Sequence, residues 1–181
     1  AMRVVVTGAP RSGTSLMMQM LAAAGLPIHQ DHARGPDPSN PQGYFELERV
    51  KLLPDNPDVL EDLGDGAVKV IYALAYLLPS STPYKFVVMD RDPQEVLDSQ
   101  ARMLKRLGRP APTISVRALA DELEAFQAWV DAQPNVDALR VSHRALMRGQ
   151  GIAAVAEFIG VPDAAERMAS CIQPTLWRAR V

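Results

Sequence analysis

The chain has 181 residues, 48% of them hydrophobic and 22% charged, with a formal net charge of −2. That length suits one well-formed core, so a single domain over residues 1–181 is expected. The balanced charge without a basic run excludes the footprint of a duplex-binding protein. No apolar stretch approaches the roughly 20 residues of a membrane span. A lone cysteine, Cys171, and an N-terminus that enters a strand pattern without a leader lead to the expectation of a reducing, cytoplasmic setting.

Residues 4–7 form a short β-branched run closed by Gly8 and read as a buried strand. A helix follows, with Leu16, Met17, Met20, Leu21 and Ala24 as its apolar stripe and Gly25 and Pro27 as stop signals. Residues 27–44 lack periodicity and read as a long loop, a length that marks functional or disordered segments. A short helix is expected over 46–53, ended by Pro54. Asn56, Pro57 and Gly64 have the order of a cap, a first helical residue and a stop. Residues 67–71 and 84–89 read as buried strands separated by a helical turn. Residues 92–107 read as a helix with Asp92 and Glu95 placed as a capping box, Pro93 in its first turn and Gly108 beyond its end. A further helix over 115–132 carries Leu119, Phe126 and Val130 on its core stripe. Residues 137–142 read as a fourth strand, and two short helices follow, the second opened by Asp163 and Glu166. Apolar strands alternating with helices imply an α/β fold: a parallel sheet flanked by helices on both faces, with ligands held beyond the carboxyl ends of the strands.

Residues 8–15, "GAPRSGTS", keep the glycine and hydroxyl spacing of a phosphate loop of the NTPase type, but Thr14 stands where that loop carries its lysine. Arg11 supplies a charge from inside the loop instead, and its planar fork suits a tetrahedral anion. The start of the following helix adds backbone amides and a favourable dipole, so such a loop holds an anion without requiring a metal. The alternative is a packing turn in which Ser12 or Thr14 caps the helix.

"PRSGTS", together with "RDPQEVLDS" from Arg91 to Ser99, resembles the two donor motifs of the sulfotransferase family, in the family's order. The resemblance implies a P-loop-like three-layer α/β sandwich that binds 3′-phosphoadenosine 5′-phosphosulfate (PAPS). It would move the sulfuryl group to a hydroxyl or amine of a small-molecule acceptor, such as a sugar, lipid or metabolite, and release 3′-phosphoadenosine 5′-phosphate (PAP). Carried over by position, Arg11, Ser12, Gly13, Thr14 and Ser15 would wrap the 5′-phosphosulfate, and Arg91 with Ser99 would hold the 3′-phosphate. Without the resemblance, Arg91 also reads as a surface ion-pair partner of Asp90 or Asp92.

The family's strand lysine near the bridging oxygen matches Lys69. In an apolar run it is costly to bury unpaired, so it either faces a site or snorkels from an edge strand. Ile71 occupies the position of the histidine base used by cytosolic members. "GYFE" resembles the segment of members that use a glutamate, which makes Glu46 the candidate base, with Glu48, His29 and His32 behind it. Glu46 could also serve only the start of a helix through the dipole. The loop over 27–44 and the helix over 115–132 are the expected acceptor walls. Arg178 and Arg180 could reach the 3′-phosphate, as the family's basic C-terminal segment does, or belong to a solvated tail. The competing reading is a P-loop NTP-dependent kinase or hydrolase, in which "FVVMD" ends in a magnesium-binding Asp90. A member that binds the nucleotide without catalysis is a third.

Overall fold

The four apolar runs become one parallel sheet of β1 (Arg3–Thr7), β2 (Gly66–Lys69), β3 (Tyr84–Asp90) and β4 (Val136–Ser142), in spatial order β2-β1-β3-β4. In this computed structural model, which describes residues 2–31, 35–38 and 40–172, Val6 lies between Lys69 and Val87 across the ladder. Parallel neighbours need crossovers, and helices supply them. Helix α1 (Thr14–Ala23) follows β1, α2 (Tyr72–Ala75) follows β2, and α3 (Pro93–Arg106) and α4 (Val116–Ala132) join β3 to β4. Three more, α5 (His143–Met147), α6 (Ile152–Phe158) and α7 (Ala165–Ala169), come after β4.

The strand period of two sends alternate side chains to opposite faces. Val4, Val6, Ala67, Val87 and Met89 pack with Met17, Met20 and Leu21 of α1, Val155 of α6 and Met168 of α7. Val5, Val68, Val70, Phe86 and Val88 pack with Phe126 and Val130 of α4 and with Val50 and Leu53. Each fully buried side chain of this kind contributes about 1.5–3 kcal/mol, so both faces of the sheet are held by helices in three layers, as expected.

Four segments differ from expectation. Residues 57–62 form consecutive turns rather than a helix, because only Val59, Leu60 and Leu63 in this stretch offer apolar surface to the core. Residues 46–53 tighten into a 3₁₀ turn over Glu48–Leu52. The loop over 27–44 starts as an extension of the sheet: Ala67 N–H donates to the Pro27 carbonyl at 2.8 Å and His29 N–H to the Ala67 carbonyl at 2.9 Å, covering the edge of β2. Strand β4 is the opposite edge and leaves Asp137, Ala138 and Arg140 exposed, so it is not the doubly buried strand of the other three. Helix α3 begins as its sequence requires, with Asp92 Oδ1 accepting from Glu95 N–H at 3.1 Å and Pro93 at its start. The capping box is only half formed, since the Glu95 side chain turns inward to arginines.

Candidate functional site

The carboxyl ends of all four strands open on one edge, the place where parallel sheets bind ligands. A cavity of about 170 Å³ lies there, lined by the loop after β1, by Lys69 at the end of β2, by Arg91 just after β3 and by His143 just after β4.

The loop's path is set by backbone conformations that glycine adopts freely. Gly8 has φ +132°, and a Cβ there would sit 2.7 Å from the Met89 carbonyl. Gly13 has φ +99°, and a Cβ there would sit 2.9 Å from His143 Cδ2. Arg11 itself is left-handed at φ 69°. Ser12 does not cap α1; its hydroxyl donates to the Ala9 carbonyl at 2.6 Å. Gly13 is the N-cap and no side chain caps the helix, so the packing-turn alternative loses its capping residue. Gly13, Thr14 and Ser15 line the cavity directly.

At one end of the cavity stands Lys69, 8% exposed. Its Nζ donates to Ser15 Oγ at 2.8 Å, lies 3.9 Å from Glu46 Oε1 and sits 5.8 Å above the Tyr44 ring. The Ser15 hydroxyl in turn donates to the Tyr44 carbonyl at 3.1 Å. The lysine therefore faces the site rather than snorkelling from an edge, and its burial is compensated by a carboxylate and a hydroxyl. The segment carrying Glu46 is fixed by Tyr44, whose O–H donates to Asp37 Oδ2 at 2.7 Å, while Asp37 pairs with Arg106 of α3 at 3.0 Å. Gly43 and Phe45, both at positive φ, bracket Tyr44 and turn the chain so that Tyr44 and Glu46 both border the cavity.

At the other end two arginines, Arg11 and Arg91, border the cavity, with a buried carboxylate and Arg144 behind them. Arg11 Nε donates to Ser99 Oγ at 3.1 Å, and Arg91 Nη1 donates to the Arg11 carbonyl at 2.7 Å. Glu95, 1% exposed, accepts from Arg91 Nε at 3.1 Å through Oε2 and from Arg144 Nη2 at 2.9 Å through Oε1. Burial lowers the Arg91 guanidinium from its ordinary pKa, and the Glu95 carboxylate opposes that shift. His143 is pushed down to about 4, first by burial and then by Arg91, so its ring is neutral near pH 7.

The structure thus brings together Arg11, Ser12, Gly13, Thr14, Ser15, Glu46, Lys69, Arg91 and Ser99. Arg91 is not the surface partner of Asp90 or Asp92. Ser99 meets Arg11 rather than Arg91. Two alternative bases lie elsewhere. His29 hydrogen-bonds the Asp65 carbonyl at 3.0 Å by the start of β2, at the opposite edge of the sheet, and Glu48 pairs with Lys51 at 3.0 Å. His32, Arg178 and Arg180 fall outside the described residues. Helix α4 contributes no residue to the cavity; its apolar stripe is used in covering the sheet, where Phe126 stacks near Trp129. Sequence reasoning missed His143 and Arg144. Their signal was position, since a strand ending at Ser142 delivers the next residues to the ligand edge.

No family model and no curated protein matches this sequence. Among solved structures, retinol dehydratase in complex with androsterone and inactive cofactor PAP is similar at 17% identity and TM-score 0.56, over 94% of this chain and 64% of that one. Mouse sulfotransferase SULT7A1 complexed with PAP is similar at 12% identity and TM-score 0.49, over 95% of this chain and 64% of that one. An unliganded sugar kinase from Janibacter sp. is similar at 17% identity and TM-score 0.44, over 97% and 98% of the two chains. The chain spans 64% of the length of each of the first two. The likeness is one of fold, and the fold is a sulfotransferase-like, P-loop-like α/β sandwich. Among the described residues no helix is long and apolar enough to cross a membrane.

Proposed function

We propose that residues 1–181 form one sulfotransferase-like domain that transfers a sulfuryl group from PAPS to a hydroxyl or amine of a small-molecule acceptor, without a metal and in a reducing, cytoplasmic setting. The observation that carries the reading is the placing of basic side chains at two ends of one cavity, Lys69, bound to Ser15 and beside Glu46, at one and Arg11 with Arg91 at the other. A donor with two separated anionic groups fits that set. Gly8 and Gly13, which pack too closely on Met89 and His143 to carry a Cβ, set the path of the loop that lines the cavity. The cavity has room for the charged end of such a ligand, with the rest of the nucleotide along the adjoining surface.

The donor supplies an activated sulfuryl group; positioning and proton transfer fall to the chain. Arg11 and the backbone of Ser12, Gly13, Thr14 and Ser15 would hold the 5′-phosphosulfate, and Arg91 with Ser99 would hold the 3′-phosphate. Ser99 also accepts from Arg11 Nε and so orients that guanidinium. Glu46 would accept the acceptor's proton as the new bond to sulfur forms. Lys69, on the same side of the cavity, would stabilise the charge that builds as the sulfur–oxygen bond to the phosphate breaks. Prearranged donors at developing charge are usually the largest catalytic term. The competing kinase or hydrolase reading has less support: Asp90 is exposed and does not border the cavity, and Thr14 leaves the γ-phosphate without its lysine.

Titration calorimetry of PAP against ATP with magnesium tests the reading. Metal-independent binding of PAP, lost in Arg91→Ala and much tighter than for adenosine 5′-phosphate, is expected. Preference for ATP with magnesium and indifference to the 3′-phosphate would overturn it.

A further inference from the structure

Arg91 does not stand alone at its end of the cavity. Its Nε is fixed by Glu95 Oε2 and its Nη1 by the Arg11 carbonyl, so the plane of its guanidinium is set by two contacts before any ligand arrives. Glu95 is almost fully buried at 1% exposure, and a carboxylate there has the opposite effect on charge from the one an anion site needs. A single Arg91–Glu95 pair would be close to neutral and would attract a phosphate weakly.

The second oxygen of Glu95 receives Arg144 at 2.9 Å, from a helix that starts beyond β4. Arg144 is half-exposed and does not border the cavity. Its charge is therefore available to offset Glu95 without occupying ligand space. Among the described residues the Glu95 carboxylate is thus shared by two guanidinium groups, Arg91 and Arg144, and His143 beside them is neutral near pH 7. Among the described residues Arg102 and Asp92 also act on Arg91, with opposite signs. With Glu95 shared in this way, Arg91 keeps more of its charge for a phosphate than a lone Arg91–Glu95 pair would.

We infer that Glu95 and Arg144 are positioning residues for Arg91: Glu95 fixes the orientation of its guanidinium, and Arg144 neutralises Glu95 so that Arg91 keeps its pull on a phosphate monoester. The inference rests on the reading of Arg91 as the 3′-phosphate holder. It assigns to α5 a part in nucleotide selection that the loop after β1 and the Arg91–Ser99 stretch do not account for. It also explains why Glu95 departs from its capping geometry: the carboxylate is recruited inward by two guanidinium groups.

The test compares calorimetric affinity for PAP and for adenosine 5′-phosphate, which lacks the 3′-phosphate. Arg144→Gln is the primary variant because the side chain is half-exposed and the fold does not depend on its burial. Its PAP affinity is expected to fall about tenfold, the scale of one charge lost within a Debye length, with adenosine 5′-phosphate affinity unchanged within about twofold. Arg144→Lys, keeping the charge, is expected to recover most of that loss. Glu95→Gln keeps the shape but loses the charge-assisted hold, and its loss too should be confined to PAP; Glu95→Asp is the conservative control should the first lower the melting temperature. Equal losses for the two nucleotides, or full PAP affinity in a folded Arg144→Gln, would overturn the inference. If Arg91→Ala also leaves PAP binding intact, the donor reading itself has failed. If Arg91→Ala loses PAP and the Glu95 and Arg144 variants do not, only the positioning pair is wrong.

Discussion

On the proposed reading, replacing Lys69 with methionine should separate catalysis from stability. The ammonium is 8% exposed, donates to Ser15 Oγ at 2.8 Å and lies 3.9 Å from Glu46. Removing it forfeits a charge-assisted hydrogen bond worth about 1.5–3 kcal/mol. It also removes the desolvation cost of a buried ammonium, which is several kcal/mol, and methionine fills a similar volume. Glu46 is left without its partner but keeps 28% of its side chain in solvent, which limits the penalty. The opposing terms leave stability within about 1 kcal/mol of wild type, a melting shift of about 2–4 °C for a chain of this size. The catalytic effect has no such compensation. Loss of one prearranged donor at developing charge costs about 10²–10³ in turnover. The assay follows transfer of a radiolabelled sulfuryl group from the donor to water or an added alcohol, with the melting temperature measured on the same preparation. Turnover within threefold of wild type, or a melting loss above roughly 10 °C, would refute the reasoning and make Lys69 a structural residue.

Glu46→Gln should keep PAP affinity while the transfer rate falls by about 10²–10⁴, since the amide occupies the same space but cannot accept the proton. Unchanged transfer would remove Glu46 as the base. Gly8→Ala should lower stability by about 2 kcal/mol or more, because alanine is strained at φ +132° and its Cβ would lie 2.7 Å from the Met89 carbonyl; a melting drop of roughly 4–8 °C is expected, and no drop would show that the loop relaxes. His143 gives a pH signature. Its folded pKa of about 4 lies below the ordinary value of 6.5, so its contribution is complete above pH 6.5 and is lost as pH falls toward 4, where the unfolded chain takes a proton that the folded one refuses. The loss amounts to roughly 3 kcal/mol, and His143→Gln should melt with a flatter pH dependence than wild type over that window; identical slopes would argue against a buried neutral ring.

The parts of this molecule legible in its sequence are those where local chemistry and tertiary structure ask for the same residues. Residues 4–7 could only be a buried strand, Gly8 and Gly13 mark positive φ, and Asp92 with Pro93 starts a helix in any context. Arg11 drew notice through the spacing of its loop, Lys69 through its place in an apolar run, and Arg91 through the family resemblance, and all three border the cavity. What failed to read was set by contacts distant in sequence. The pairing of Pro27 and His29 with Ala67 uses backbone groups alone, which leave no residue pattern. Residues 57–64 carry the punctuation of a helix but too little apolar surface to hold one against the core.

Glu95 is the instructive case, because its sequence position satisfies a local rule that the fold then overrides. A glutamate three residues after Asp92 is well placed to return a hydrogen bond to the cap, worth about 1 kcal/mol for the box as a whole. Here the carboxylate instead meets guanidinium groups from 4 residues back and 49 residues ahead. A guanidinium adds to the hydrogen bond the Coulombic attraction of an opposite charge, which a backbone amide lacks and which burial strengthens, so the arginines outcompete the amide. The half that survives, Asp92 to the Glu95 amide, suffices to start α3. The released half ties α3 to α5 and to the loop after β1, the three segments that meet around Arg91. A residue that breaks its local rule at the ligand edge of a sheet is therefore better evidence of a site than one that obeys it, because the stability forgone in the cap must be offset by what the side chain does there.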